Sequence, residues 1–133
     1  MMELTLYLLF DGACGEAMEF YHERLGGELS MTRVSESPLK DHTPPNLHKK
    51  VLNARLVGSG FDISASDWML PNRTPVRGNT VCMYFSGGSR DELRQVFDRL
   101  SEGADVTDPL EEMPFLYGAL NDKFGARWMF HAD

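Results

Sequence analysis

Histidine and cysteine, the side chains that most often carry chemistry in proteins, are few in this sequence and widely spaced. His42 and His48 lie six residues apart in a proline-rich stretch, a spacing that does not place both on one face of a helix. His22 lies beside acidic residues in a predicted helix, and His131 lies near the C-terminal end. A catalytic cation needs three or four converging donors. The histidines by themselves therefore predict no metal site, and we interpret His42 and His48 as residues of a solvated loop.

The two cysteines, Cys14 and Cys82, do not form a C-x-x-C pair, which would indicate zinc binding or redox exchange. We expect both thiols to be reduced. Cys14 is predicted at the N-terminus of the first helix, where backbone N–H groups can lower the pKa of a thiol and make it nucleophilic. No base or orienting group for such a nucleophile is identifiable, and cysteine is among the most buried residue types. We therefore favour a structural role for Cys14.

The composition is that of a soluble globular domain. The 133 residues are 42% hydrophobic and 25% charged, with a formal net charge of −7, so we expect one domain over residues 1–133 that needs no structural metal. No long basic run offsets the negative charge, which excludes nucleic acid as an expected partner. The apolar run Leu4–Phe10 covers about a third of a bilayer helix, so no membrane partner is expected. The N-terminus lacks the pattern of a secretion signal, which predicts a cytoplasmic location.

Hydrophobic periodicity predicts the same order of elements in both halves of the chain. The first half is predicted as a strand buried on both faces, a helix, a strand, a long proline-rich loop and a hairpin: Leu4–Phe10, Gly15–Leu25, Glu28–Val34, Ser35–Lys50, and Val51–Val57 with Phe61–Ser66. A linker, 67–78, follows. The second half is predicted as a strand, a helix and three strands, with a proline-bearing connection from Pro109 to Pro114: Thr80–Phe85, Arg90–Leu100, Ala104–Thr107, Phe115–Leu120 and Ala126–His131.

The two halves also share residues at fixed offsets. At an offset of 75, Phe10 falls on Phe85 and Leu25 on Leu100, and at an offset of 65, Ala54 falls on Ala119. We interpret this as an internal duplication of one strand, helix, three-strand unit, with modules over 1–67 and 78–133. The predicted fold class is α+β.

Four segments carry a resemblance to a known family. They are Leu6-Tyr7-Leu8-Leu9-Phe10-Asp11-Gly12-Ala13-Cys14, Ala17-Met18-Glu19-Phe20-Tyr21 followed by Leu25-Gly26-Gly27, Ala54-Arg55-Leu56 leading to Ser66-Asp67, and Asn121-Asp122-Lys123-Phe124-Gly125-Ala126-Arg127-Trp128. In order and spacing they resemble the PhnB-like branch of the vicinal oxygen chelate (glyoxalase/bleomycin resistance/dioxygenase) superfamily. The resemblance implies two βαβββ modules in a curved, eight-stranded, open barrel-like sheet that encloses a groove, and it implies a homodimer.

The resemblance also implies where a metal would bind. Enzymes of the superfamily hold a divalent cation with donors, usually His and Glu, from the first and last strands of each module. The corresponding positions here are Leu6 or Thr5, Val81 or Thr80, Ser64, and Met129. None is His, Glu or Cys. Asp62 would reach the site only if the strand register were shifted by two, and Asn53 stands where PhnB-like relatives often carry His. We expect no catalytic metal and no other cofactor.

The residues expected to bind a ligand are Tyr7, Asn53, Tyr84, Phe115 and Trp128. Aromatic side chains on strands suit a flat organic guest, and a strand amide offers both a donor and an acceptor, although packing alone also accounts for the aromatic residues. We therefore expect a protein that binds a small organic molecule in its cleft without a metal. Two alternatives stay open: a metal-dependent glyoxalase-type lyase, isomerase or dioxygenase, and a regulatory module that acts through its dimer surface.

Overall fold

The computed structural model describes residues 1–112 and 114–133 of the chain, which form two compact units, Met1–Pro75 and Val76–Asp133. The predicted modules, 1–67 and 78–133, lie within the first and second unit respectively. The assignment of both to one domain stays a prediction. Neither of the α-helices in the described part of the chain has the length and apolar character needed to cross a bilayer.

The two units have the same topology. The first contains β1 (Leu6–Phe10), α1 (Cys14–Leu25), β2 (Glu28–Arg33), β3 (Val51–Gly58) and β4 (Phe61–Asp67), with sheet order β1-β4-β3-β2. The second contains β5 (Met83–Ser86), α2 (Arg90–Leu100), β6 (Asp105–Glu111), β7 (Leu116–Asn121) and β8 (Arg127–Ala132), with order β5-β8-β7-β6. In each sheet the first strand is parallel to the last and the other pairs are antiparallel. The α+β class with two βαβββ modules is confirmed, and the eight strands form two four-stranded sheets.

The two helices begin in different ways. In α2, the Ser89 hydroxyl accepts the N–H of Glu92, and the buried side chains Leu93, Phe97 and Leu100 recur at helical spacing. In α1, Ala13 precedes the first turn and offers no side-chain cap. The first turn is instead held by a carboxylate from β4, described below. Each helix buries its apolar stripe against its own sheet.

Strand β1 differs from its prediction. The run from Leu4 to Phe10 was expected to be buried on both faces, but Leu8 and Phe10 are buried while Tyr7 is 48% and Leu9 40% exposed. A continuous apolar run carries no alternation, so the sequence cannot show that one face lies away from the helix. The exposed face of β1 is where the candidate site begins.

The strands of the second module also differ from prediction. Strand β5 begins at Met83 rather than at Thr80, and β6 extends to Glu111 rather than ending at Thr107. Pro109 was expected to start a connection, but it lies within β6, the last strand of its sheet order, where a missing N–H is tolerated. Register shifts along β6 mark the irregularity. Met113, within the predicted connection, lies outside the described residues.

The proline-rich stretch between β2 and β3 is more ordered than expected. It contains three short 3₁₀ helices, Val34–Glu36, Pro38–His42 and Pro45–Leu47. His48 Nε2 lies 2.9 Å from the carbonyl oxygen of Lys40 and 3.3 Å from that of Thr43, and it acts as donor to both. His48 thus lies in the loop as expected, and its half-buried ring also bonds two carbonyl groups of that loop.

Candidate functional site

In each module one face of the sheet is covered by the helix. The N–H of Cys14 in α1 donates to the Asp67 carboxylate, and the ring of Phe97 in α2 packs edge-on against Phe130 at 5.1 Å. Side chains alternate along a strand, so the neighbours of these residues lie on the opposite face, which we call the distal face. Its main residues are Tyr7, Leu9, Asn53, Arg55, Asp62 and Ser64 in the first module, and Tyr84, Asp105, Asp108, Tyr117, Asn121, Arg127, Met129 and His131 in the second.

Two tyrosines occupy equivalent places on the two distal faces. Tyr7 pairs with Ser64 on the neighbouring strand, and Tyr84 pairs with Met129, which is the residue that the offset of 65 relates to Ser64. Tyr7 is 48% and Tyr84 56% exposed. Each module therefore presents one half-exposed phenol ring beside the position where the superfamily resemblance placed a metal donor.

The strand register corrects which residue of the second module corresponds to Leu6 of the first. The offset of 75, applied to strand and helix alike, relates Leu6 to Val81 and Thr5 to Thr80, and both of these precede β5. Strand pairing instead relates Leu6, opposite Ile63, to Met83, opposite Trp128. The strand offset is thus 77, because two residues fewer lie between Tyr84 and Leu100 than between Tyr7 and Leu25. Helix and strand have different offsets, so one offset could not locate both.

The remaining predicted ligand residues differ in their surroundings. Asn53 is exposed on β3 and pairs with Thr32. Phe115, 41% exposed, precedes β7 and packs edge-on against His131 with ring centres 5.0 Å apart. Tyr7 and Asn53 thus lie in the first module, and Tyr84 and Phe115 in the second. A ligand-binding role for these residues stays a prediction.

Trp128 lies on the other side of its sheet. It is 1% exposed, its ring stacks on Phe85 at 5.6 Å, and its indole N–H donates to Asp122 Oδ2 at 2.8 Å. Its neighbours Arg127 and Met129 are the residues that reach the distal face. The sequence shows an aromatic strand residue here, but which face it occupies depends on the register.

Each distal face carries an arginine that is already held by the protein. Arg55 and Asp62 form a two-pronged ion pair, with Nε to Oδ1 at 3.0 Å and Nη2 to Oδ2 at 2.7 Å. This hydrogen-bonded pair lowers the pKa of Asp62 and raises that of Arg55, so both stay charged. Asp62, considered above as a remote metal donor, is thus committed to Arg55. The ion pair was missed from the sequence, although the hairpin signal at Gly58-Ser59-Gly60 brings the two strands together.

Arg127 is the corresponding cation of the second module. Its Nη1 donates to Thr107 Oγ1 at 3.1 Å and to Asn121 Oδ1 at 3.3 Å, and its Nη2 lies 3.8 Å from Asp108 Oδ2. Asn121 in turn donates to Asp105 Oδ2 at 3.4 Å. The guanidinium is held by these neighbours on the distal face.

The donor set does not fit the divalent cation used by enzymes of the resembled superfamily. Among the corresponding strand positions, Leu6 offers no donor, Ser64 offers a hydroxyl, and Met83 and Met129 offer thioethers, whereas such cations favour imidazole and carboxylate. Across residues 1–112 and 114–133, no three His, Cys, Asp or Glu side chains are grouped in a way that could hold a metal ion. We derive no chemical step through a metal.

Cys14 has the structural role expected of it. The side chain is fully buried, and its backbone N–H donates to Asp67 Oδ1 at 3.0 Å. Burial, and next the charge of Asp67, raise the pKa of the thiol to about 12, against a smaller opposing effect of Arg33. The helix N-terminus therefore does not produce a thiolate here.

We expect iodoacetamide at about pH 8 to label Cys82 and to leave Cys14 unmodified in the native protein, since about 10⁻⁴ of the Cys14 thiol is then ionised. The Cys82→Ser variant should incorporate no label until it is unfolded in urea, as measured by intact mass. Rapid labelling of that folded variant would contradict the buried, protonated state of Cys14.

Because the unfolded thiol, with its pKa of 9.0, ionises first, the contribution of Cys14 to stability should also fall as the pH rises from 9 towards 12.

Comparison with known proteins gives full-length matches, although no family model matches the chain. The crystal structure of protein PA1353 from Pseudomonas aeruginosa has a TM-score of 0.86 and 31% sequence identity, and the match covers 100% of this chain and 98% of that one. The structure of a PhnB protein from Bacillus cereus has a TM-score of 0.77 and 26% identity, over 99% and 100%. Protein YjdN of Escherichia coli (strain K12) is 28% identical over 142 residues, which cover 98% of this chain and 95% of YjdN.

Proposed function

This chain belongs to the PhnB-like branch of the vicinal oxygen chelate superfamily, and we propose that it binds a small organic molecule without a catalytic metal. One observation carries the proposal: equivalent positions of the two modules, Tyr7 and Tyr84, each present a half-exposed phenol ring beside Ser64 or Met129. Enzymes of the superfamily hold their cation at those neighbouring positions, and here the residue types favour contact with an organic ring.

The physical basis is the surface that an aromatic residue offers. A tyrosine ring gives a large flat contact area and one polar group, and it loses little side-chain entropy on binding. Asn53 on the first distal face adds a donor and an acceptor, and Phe115 adds a second ring beside the other distal face. Each distal face can hold and orient a ligand with its own residues, and it needs no reacting group to do so.

A thermal-shift screen of planar aromatic compounds, glycopeptide antibiotics and phosphonates tests the proposal, because a ligand of the native state raises the melting temperature. For a compound that binds to a distal face, we expect loss of the tyrosine on that face, in Tyr7→Ala or Tyr84→Ala, to weaken the affinity about tenfold, through loss of ring contact. Phe124→Ala is the control, since Phe124 lies in the turn between β7 and β8. Unchanged affinity in both tyrosine variants, or no binder in the screen, would contradict the proposal.

Metal analysis of the purified protein separates this function from the metal-dependent lyase, isomerase or dioxygenase. Stoichiometric zinc, nickel, manganese or iron, bound in a form that supports turnover, would favour the enzyme. Retention of ligand affinity after dialysis against a chelator is the result that we expect for the binding protein.

We also propose that the chain forms a homodimer, as members of the superfamily commonly do by pairing their modules across subunits. Sedimentation equilibrium should then give twice the chain mass of 15.0 kDa. A monomer at every accessible concentration would exclude the dimer and leave the binding proposal intact.

A further inference from the structure

The distal faces carry aromatic rings together with arginines that are already neutralised. We infer that the ligand is an uncharged planar aromatic compound and that ligands with a phosphate, phosphonate or carboxylate group are discriminated against. This rests on the proposed binding function and specifies the chemical class of its ligand.

The first step concerns Arg55. An arginine recognises an oxyanion by presenting two parallel N–H groups to two oxygens. In this protein Nε and Nη2 of Arg55 make those contacts with the two carboxylate oxygens of Asp62, at 3.0 and 2.7 Å. An anionic ligand would have to displace Asp62 and leave that carboxylate without its counter-charge. The pair has no net charge, so it gives an anion no net attraction to offset that displacement, and an uncharged guest does not have to break it.

The second step concerns Arg127. Its Nη1 is occupied by Thr107 and Asn121, and Asp108 lies 3.8 Å from its Nη2. The Asp105 carboxylate accepts from Asn121 within the same network. An anion that approached this cation would meet the negative charges of Asp105 and Asp108. Both distal-face arginines thus present their charge together with that of a carboxylate.

The third step concerns the helix N-termini, which are the other places where proteins commonly hold an oxyanion. The N–H of Cys14, at the start of α1, is bonded to the Asp67 carboxylate, and the N–H of Glu92, in the first turn of α2, is bonded to the Ser89 hydroxyl. These two N–H groups are therefore already bonded within the fold. The net charge of −7 adds a general repulsion of anions.

An uncharged aromatic ring meets none of these costs. Tyr7 and Tyr84 expose about half of their surface, and Phe115 exposes 41%. Stacking on these rings buries apolar area and requires no ion pair to be broken. The same distal faces that offer the stacking surface therefore select by charge.

The test compares 2-naphthamide with 2-naphthoate, which share a ring system and differ in charge at neutral pH. We expect calorimetry to show that 2-naphthamide binds at least about tenfold more tightly than 2-naphthoate, and that this difference becomes smaller when Arg55 is released from its ion pair. In Asp62→Asn, the freed Arg55 should raise the affinity for the naphthoate about fivefold or more and leave that for the amide unchanged. Asp91→Asn is the matched control, because it removes the same charge from an ion pair with Arg94, at 3.5 Å, on helix α2.

Equal binding of both compounds, or tighter binding of the naphthoate, overturns the inference and leaves the binding function standing. If neither naphthalene compound binds, the compounds found in the thermal-shift screen decide: uncharged aromatic binders support the inference, and phosphonates or carboxylates overturn it. If nothing in the screen binds, the binding function fails, and the inference fails with it.

Discussion

Replacement of Asp122 by alanine should lower the free energy of unfolding by about 4 kcal/mol, the largest effect that we expect from a single change in this chain. Asp122 is 4% exposed, and its Oδ1 accepts the N–H groups of Phe124 and Ala126 at 2.8 and 3.0 Å. Its Oδ2 accepts the indole N–H of Trp128 at 2.8 Å. Removal of the carboxylate takes the acceptor from three donors, and a buried donor without its acceptor costs about 1–3 kcal/mol.

Urea denaturation followed by circular dichroism measures this loss. The exposed Asp98 of α2 provides the matched control, because its replacement by alanine should change the stability by less than about 0.5 kcal/mol. If Asp122→Ala does not fold, Asp122→Asn replaces it: the amide keeps one acceptor oxygen but turns a donor towards one of the N–H groups, which predicts an intermediate loss. A stability of Asp122→Ala within about 1 kcal/mol of the natural chain would show that the carboxylate does not organise the turn.

The second large effect is expected for Asp67→Ala, with a loss of about 3 kcal/mol. Asp67 is 2% exposed and joins three elements: its Oδ1 accepts the N–H of Cys14 at the start of α1, and its Oδ2 accepts the N–H of Val51 at the start of β3, at 2.8 Å. As a carboxylate at a helix N-terminus it also supplies the cap that Ala13 cannot.

The loss in Asp67→Ala is expected to be accompanied by faster hydrogen exchange at Cys14 and Val51, since these two amides lose their acceptor. Asp62→Ala, five residues earlier in the same strand, is the comparison, because its carboxylate pairs with Arg55 on the distal face and should change neither amide. Unaltered protection of Cys14 and Val51 in Asp67→Ala would contradict the assigned role of Asp67.

The elements that the sequence predicted well are those on which several local signals agree. Helix α2 runs over Arg90–Leu100 as predicted, because Ser89 caps it and Leu93, Phe97 and Leu100 follow the helical period. The sequence predicts that β6 ends before Pro109, whereas the strand continues to Glu111. A proline is tolerated within a strand at the edge of a sheet, and the place of β6 in its sheet is a property of the tertiary fold.

The candidate site was predictable to a similar extent. Tyr7 and Tyr84 were identified as aromatic strand residues, whereas the side of the sheet occupied by Trp128 required the strand register. Asp67 and Asp122 lie within the segments that carry the family resemblance. An aspartate at the end of a strand is also typical of an ordinary turn, so its residue type alone does not indicate a buried role. Their buried hydrogen bonds join residues up to 53 positions apart, which local patterns do not encode.

The two-residue difference between the strand and helix offsets bears on how such a protein can evolve. Side chains along a strand alternate with a period of two, so a length difference of two residues between strand and helix leaves every ring on its original side. A deletion of one would have turned Tyr84 inward and Phe85 outward, exchanging a half-exposed phenol for a ring that stacks on Trp128 and Phe130. A length difference of two residues over this stretch is therefore compatible with the same facing of the rings in both modules, whereas a difference of one is not.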